Sequence, residues 1–429
     1  MCEKLIQIIN YLVISFKLIN LKQYSVGRYQ LRLGILSLFI LLSISINISH
    51  VKAQDYRVSL LTCDPGDELY SAFGHNAVRV LDQATGRDIV FNYGTFDFDT
   101  PNFYLKFARG KLDYMLSVST YEQFILHYQY LQRSVREQVL DLSPEQTLRA
   151  VQFLHENYEP QNRFYRYDFF FDNCATRIRD MMEMVLGDQL QWGETEKAAD
   201  KSFRNLIDEY VYPMPWADFG IDLALGSVID REANEREQQF LPDYMEKAFA
   251  GASIVGDGPS RPLIKSSTTV LQIDAPPSPG SLFNPYLLFW MIAIAGIVLT
   301  FVGHKRGRLF IGWDLAMFGI LGIVGLVIVF LWFFTDHSAT AYNWNILWAF
   351  PLHLVLVFGL MQKYPDDWVK KYLFFALIMA DAAVVFWILG WQSFHPSVLP
   401  LLLLIILRTN YLYYNLERLK TLQRNLSGK

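Results

Sequence analysis

Two short stretches hold the residue types that nucleophilic acyl chemistry needs. Ser71-Ala72-Phe73-Gly74-His75-Asn76-Ala77-Val78 places an imidazole at the start of an alternating run, behind a glycine that permits close backbone approach. Asp168-Phe169-Phe170-Phe171-Asp172-Asn173-Cys174-Ala175-Thr176-Arg177 places a thiol in the first turn of a helix, directly after an Asp-Asn cap. A helix N-terminus has unpaired N–H groups and a partial positive charge. The expectation is therefore a Cys174 thiol of lowered pKa, with His75 as base and the free N–H groups as oxyanion donors. Asn92, on the strand expected beside His75, is the candidate to orient the imidazole. Arg166 and Arg177, with Arg163 and Arg179, flank the cysteine, either as solvated charge or as contacts for a phosphate.

Other readings of the same residues stay open. An isolated cysteine is most often a small buried hydrophobe. Cys63 and Cys174 would form a disulfide in a non-enzymatic envelope scaffold. With the thiol active, the alternative to acyl transfer is a membrane-anchored hydrolase, acting on peptidoglycan peptides or phospholipids. The three cysteines lack zinc spacing, and Asp97, Asp99, Asp168 and Asp172 form no glycine-turn ligand loop, so neither metal nor cofactor is expected.

The elements that must position these groups are legible. Strands are expected at 56–61, 75–81, 88–93, 111–118 and 135–142, the second and third forming a hairpin about the turn at 82–86. Ser143-Pro144-Glu145-Gln146 opens a helix that runs to Asn157, and the Cys174 helix ends at Gly187. Residues 188–262 read as helix and loop. This predicts an exported α+β catalytic domain over 54–270. A linker follows at 271–282, marked by Pro276, Pro277, Pro279 and Gly280.

Composition places that domain at a membrane. The chain of 429 residues is 52% hydrophobic and 19% charged, so membrane segments are sought first, and a net charge of -4 argues against nucleic acid. The apolar run 34–48, behind Arg28 and Arg32 and ahead of Val51-Lys52-Ala53, has the three parts of an export signal within residues 1–53. An uncleaved anchor, or a lipobox at Leu60-Leu61-Thr62-Cys63, are the other readings. Five apolar segments follow at 283–302, 309–334, 344–361, 372–391 and 397–414, within a transmembrane domain of about five helices over 283–415. Lys and Arg cluster after the first, third and fifth, and at the basic tail 416–429. This orientation places the catalytic domain in the periplasm of a multi-pass inner-membrane protein. Arg408 interrupts the fifth segment, which is expected to be short or tilted. The outer loop brings His337, Asn343 and Asn345 toward the surface, with His353 inside a span. These four, with Asn173, join the substrate-contact candidates. The alternative is an aromatic belt with helix-end hydrogen bonds.

These residues also resemble a known family. The runs Leu60 to Gly66, Phe73-Gly74-His75, Phe91-Asn92-Tyr93-Gly94-Thr95-Phe96-Asp97, Tyr104-Leu105-Lys106-Phe107, Gly110 to Tyr114 and Phe164 to Arg177 are similar to the DUF4105, or Lnb, family of lipoprotein N-acyltransferases of Bacteroidetes. So are Asp336-His337, Asn343-Trp344-Asn345 and Pro351-Leu352-His353 in the membrane part. The resemblance implies a papain-like, permuted NlpC/P60-type fold, in which histidine precedes cysteine as in the lecithin:retinol acyltransferase type. It implies Cys174 as nucleophile and His75 as base. The implied partners are a phospholipid acyl donor, a diacylated lipoprotein acceptor and the membrane bilayer.

Overall fold

The computed structural model describes residues 55–193, 200–256, 258–274, 283–362 and 365–427, with side chains through 416. The expected export signal and its cleavage site, most of the 271–282 linker and the side chains of the basic tail lie outside the described residues.

Seven antiparallel strands make the main sheet: β1 (Tyr56–Cys63), β2 (His75–Asp82), β3 (Asp88–Thr95), β4 (Asp113–Thr120), β5 (Val135–Leu140), β6 (Phe164–Arg166) and β7 (Ile264–Leu271). Their spatial order is β7-β5-β1-β2-β3-β4-β6, which puts β2 in the middle. Both faces of the sheet are covered, so most positions of the central strands are buried, the polar Ser59, Thr62, Asn76 and Arg79 included. On one face, Val58, Leu60, Val78, Phe91 and Tyr93 pack with α3 (Pro144–Tyr158) and α4 (Cys174–Leu186). On the other, Leu61, Cys63, Ala77 and Val90 pack with Phe124 and Tyr128 of α2 (Tyr121–Tyr130). α4 forms because Ile178, Met181, Met182 and Val185 recur at helical spacing and bury one stripe. α3 opens where Ser143-Pro144-Glu145-Gln146 predicts, with Ser143 and Gln146 in a capping box and Pro144 in its first turn.

Several elements were not expected, α2 and β6 among them. α1 (Phe103–Ala108) follows β3. The edge strand β7 lies in what reads as linker approach, since Lys265-Ser266-Ser267-Thr268-Thr269 is polar and pairs only through its backbone with β5. Within 188–262, read as helix and loop, α5 (Phe203–Val211) builds a second cluster around Phe170, Phe203 and Phe240 with Ile221 of α6 (Pro215–Ala224) and Tyr244 of α7 (Pro242–Gly251), whose Met245 and Phe249 join the main core.

Four helices among the described residues are long and apolar enough to cross a membrane. They are α8 (Pro285–Arg306), α9 (Ile311–Phe333), α11 (Asp367–Ile388) and α12 (Val398–Ser427). The third expected segment is not a continuous helix. It is a short turn at Trp344–Leu347, a break at Pro351, then α10 (His353–Met361) of nine residues. Proline lacks the N–H that would continue a helix and disfavours it in the preceding residue. Arg408 does not shorten the fifth segment. Its guanidinium bonds the Asp314 carboxylate at 2.8 and 2.6 Å, the Thr300 hydroxyl and the Leu309 carbonyl. The charge is met within the bundle, and α12 continues through it.

Candidate active site

Two glycines shape the end of the sheet where the site lies. Gly74 has φ +77°, and a Cβ there would meet the Cys63 carbonyl at 2.8 Å. Only glycine permits this approach, which pairs His75 with Cys63 at the start of β2. Gly94, at φ +85°, sits in the register shift between Asn92 and Thr95, with Tyr167 and the Cys174 Cβ beside it. A glycine inside a strand run is a signal for such a bulge, and the sequence reading passed over it.

Asn173 caps α4. Its side-chain oxygen accepts from the Ala175 and Thr176 N–H groups at 2.9 Å, and its amide donates to the Phe169 and Phe240 carbonyls at 2.8 Å. The fold uses all the bonding capacity of its side chain, which holds the start of α4, and Asn173 also lies on the cavity wall.

Cys174 and His75 line one cavity of about 440 Å³. Its other walls are mostly apolar: Phe73, Tyr93, Phe96, Leu112, Tyr114, Tyr167 and Phe240 among them. The cavity also takes in Asp336, His337, Ser338, Ala339 and Thr340, from the loop that leaves α9. The Cys174 sulfur faces three backbone N–H groups, those of Asn76, Ala175 and Cys174 itself. They lower its pKa, but burial outweighs them and the thiol lies above its ordinary value. The expectation of a lowered pKa is thus corrected, because a thiolate leaves bulk water at a greater cost than three N–H groups return. Burial is also the main cause that brings the His75 imidazole down to about 4, with the Arg133 guanidinium adding repulsion and an Asn92 side-chain hydrogen bond opposing. At neutral pH the pair is a neutral thiol and a neutral imidazole. No hydrogen bond joins them among the interactions described for either group.

Asn92 does touch His75, as an imidazole-orienting group would. Cys63 and Cys174 are both free, so the structure does not contain the disulfide of the scaffold reading. Cys63 is fully buried beside the Tyr128 hydroxyl, and burial pushes its thiol to about 12. It behaves as a core residue.

Residues 46–208 match the family model of the Lnb N-terminal periplasmic domain, and residues 278–419 match that of the Lnb transmembrane domain. The chain belongs to the Lnb family. No curated protein and no solved structure matches it. This Lnb chain is a membrane protein with a periplasmic part, and its two domains fit a membrane-associated lipoprotein-processing protein.

The remaining substrate-contact candidates of this Lnb chain divide. His337 lies on the cavity wall, its Nε2 bonded to the Phe107 carbonyl at 3.2 Å. Five others do not line the cavity. Arg177 is held by Asp172 in two bonds and stacks over Tyr165 at 3.6 Å. Arg166 faces solvent and pairs with Asp113. Asn343 donates to the Leu223 and Ala224 carbonyls and Asn345 to that of Asp222, capping the end of α6. His353 is buried, with Nδ1 accepting from the Tyr372 hydroxyl at 3.0 Å and Nε2 facing the Trp348 carbonyl. Short polar residues in membrane loops supply backbone partners where helices break, and that use consumes them. Asn76, which offers only its backbone N–H, and Arg133, remote in sequence, were missed because neither has a local signature. Asp218, Asp222 and His395 lie near one another, but Asp222 bonds Arg204 at 2.6 Å and His395 bridges Ser397 and Asp218. These three tie α6 to the loop before α12.

Proposed function

We propose that the protein is a lipoprotein N-acyltransferase, moving an acyl chain from a phospholipid to the α-amino group of a diacylglyceryl-cysteine through a thioester on Cys174. The observation that carries this is the shared cavity. A nucleophile and a base sit on a largely apolar wall completed by a loop of the membrane bundle. A volume of about 440 Å³ falls within the roughly 300–1,000 Å³ usual for ligand pockets.

In the first half-reaction His75 takes the Sγ proton as sulfur attacks the ester carbonyl. The new C–S bond forms, the glycerol oxygen leaves, and His75 returns the proton to it, releasing a lysophospholipid. In the second, the lipoprotein amine attacks the thioester. His75 accepts the amine proton and delivers it to the departing sulfur, leaving an amide and a free thiol. The N–H groups now turned toward Sγ are placed to receive the oxyanion. Asn92 orients the imidazole, as the third member of such triads does. The apolar wall excludes water and so favours the amine over hydrolysis. The papain-like, permuted arrangement is part of this proposal, as is the hold on both lipids at bilayer height.

The test is mass spectrometry of a lipoprotein N-terminal peptide from cells lacking native N-acylation. The wild type is expected to add one acyl chain to the amine, and Cys174→Ala none, with both proteins present in the membrane at equal level. Addition by neither protein, or by both, refutes the thiol mechanism. Release of free fatty acid without addition would favour the hydrolase.

A further inference from the structure

The segment from Phe98 to Arg109 has a surface that nothing among the described residues covers. Phe98, Tyr104, Leu105 and Phe107 are 69%, 82%, 56% and 52% exposed, respectively. Phe96, Phe98, Phe103 and Phe107 contact one another as a ring cluster, so the segment is ordered around its own aromatics. Contiguous exposed apolar surface of this kind marks an interaction site. Lys106 and Arg109 are interleaved with it. Aromatic side chains mixed with basic ones are the composition of a membrane–water interface.

The height of the segment follows from the bundle. α9 has 23 residues, a length of about 34 Å at ~1.5 Å per residue. The hydrocarbon core is about 30 Å thick, so the α9 end at Phe333 stands at headgroup level. Phe333 and Phe334 are exposed there. Four residues further on, the His337 Nε2 meets the Phe107 carbonyl at 3.2 Å, and the Asp336 N–H donates to the Arg109 carbonyl at 2.9 Å. A Cβ on Gly110 would lie 3.2 Å from the His337 nitrogen, so the two backbones are in close contact. Four residues reach at most about 14 Å. The C-terminal end of α1 is thereby clamped within the interfacial layer, and Phe107 is also on the wall of the cavity.

We infer that the 98–109 segment is an interfacial foot resting in the periplasmic leaflet, with Phe98, Tyr104 and Leu105 among the lipids and Lys106 and Arg109 at the level of anionic headgroups. It places the cavity mouth against the leaflet, so that a phospholipid acyl chain reaches Cys174 sideways from the bilayer. The lateral route rests on the proposed acyl transfer, whereas the membrane contact does not.

The full chain, with Cys2→Ser and Cys174→Ser and Cys63 left buried, is reconstituted in vesicles of phosphatidylethanolamine and phosphatidylglycerol. Tyr104→Cys, Leu105→Cys and, as control, Ala84→Cys are each labelled with an environment-sensitive fluorophore. Ala84 lies beyond the far end of β2 from His75. Nitroxide lipids labelled near the headgroup are expected to quench the fluorophore at 104 and 105 at least about twofold and to leave that at 84 unquenched. Emission at 104 and 105 as water-like and unquenched as at 84 overturns the inference. In the otherwise native chain, Tyr104→Ser/Leu105→Ser is expected to lower acylation from vesicle phospholipid about fivefold or more, as lost apolar burial implies, at an unchanged thermal midpoint. An undiminished rate overturns the lateral route. Quenching at 104 and 105, together with no acyl transfer by the wild-type chain, upholds the foot and refutes the acyltransferase instead.

Discussion

The protonation state of His75 is the sharpest prediction. An ordinary histidine with pKa 6.5 is neutral in only about one molecule in eleven at pH 5.5. Burial and Arg133 bring His75 to about 4, so at pH 5.5 about 97% of it is still neutral. If His75 is the base, kcat/KM for thioester formation at pH 5.5 should be within about 10% of its value at pH 7.5, whereas an unperturbed imidazole would lose about tenfold. The assay is single-turnover release of lysophospholipid from mixed micelles, in buffers matched for ionic strength. The same shift predicts stability. The folded pKa lies below the unfolded 6.5, so from pH 6.5 down to about 4 the unfolded chain takes up a proton that the folded chain refuses. Stability is full above pH 6.5 and falls as pH is lowered through that window, by about 3 kcal/mol at pH 4 from this group alone. His75→Leu should remove that share of the acid dependence while abolishing activity. A tenfold fall in kcat/KM between pH 7.5 and pH 5.5, or an acid dependence of stability that His75→Leu leaves untouched, would refute the reasoning.

Four further outcomes are expected. Asn173→Ala removes a cap and leaves the Phe169 and Phe240 carbonyls unmet, so denaturant unfolding in detergent should show a loss of about 2–4 kcal/mol; Asn173→Ser, which keeps a capping oxygen, should lose less. Asp314→Leu or Arg408→Leu alone strands a buried charge and should destabilise the bundle by about 3–5 kcal/mol, while the double leucine variant should recover most of it. A Cβ on Gly226 would fall 1.8 Å from the Ala341 carbonyl oxygen, so Gly226→Ala should pry α6 from the 338–342 loop and expose that loop to protease. Cys63→Ala should keep thioester formation near the wild-type rate at a stability loss of about 1 kcal/mol, and a dead variant would make Cys63 a candidate nucleophile.

Much of the scaffold was written locally. β2, β3 and β5 start where alternation predicts, and the helices at Pro144 and Cys174 start at their caps, because capping and period act within a few residues. Chain order alone also separated a mixed domain from a run of apolar helices. β7 was missed because its middle, Lys265 to Thr269, is polar and exposed and is recruited by the backbone of β5. The third membrane segment was read as a span from hydropathy, which does not register that Pro351 breaks the ladder or that Asn343 and Asn345 bond carbonyls of α6.

The sequence by itself singled out the two candidate residues, Cys174 at a helix start and His75 at a strand start, because both features are set by neighbours in the chain. Tertiary structure decided everything that depends on solvent and on distance. It buried the thiol, so that desolvation overrode the helix terminus and reversed the sign of its pKa shift. It brought Asn92 and Arg133 to His75, and it spent Asn173, Asn343, Asn345 and Arg177 on holding the fold. It also carried the 336–340 loop of the membrane bundle onto the cavity wall. A side chain's partners are settled by which elements pack together, and local sequence carries no record of that choice.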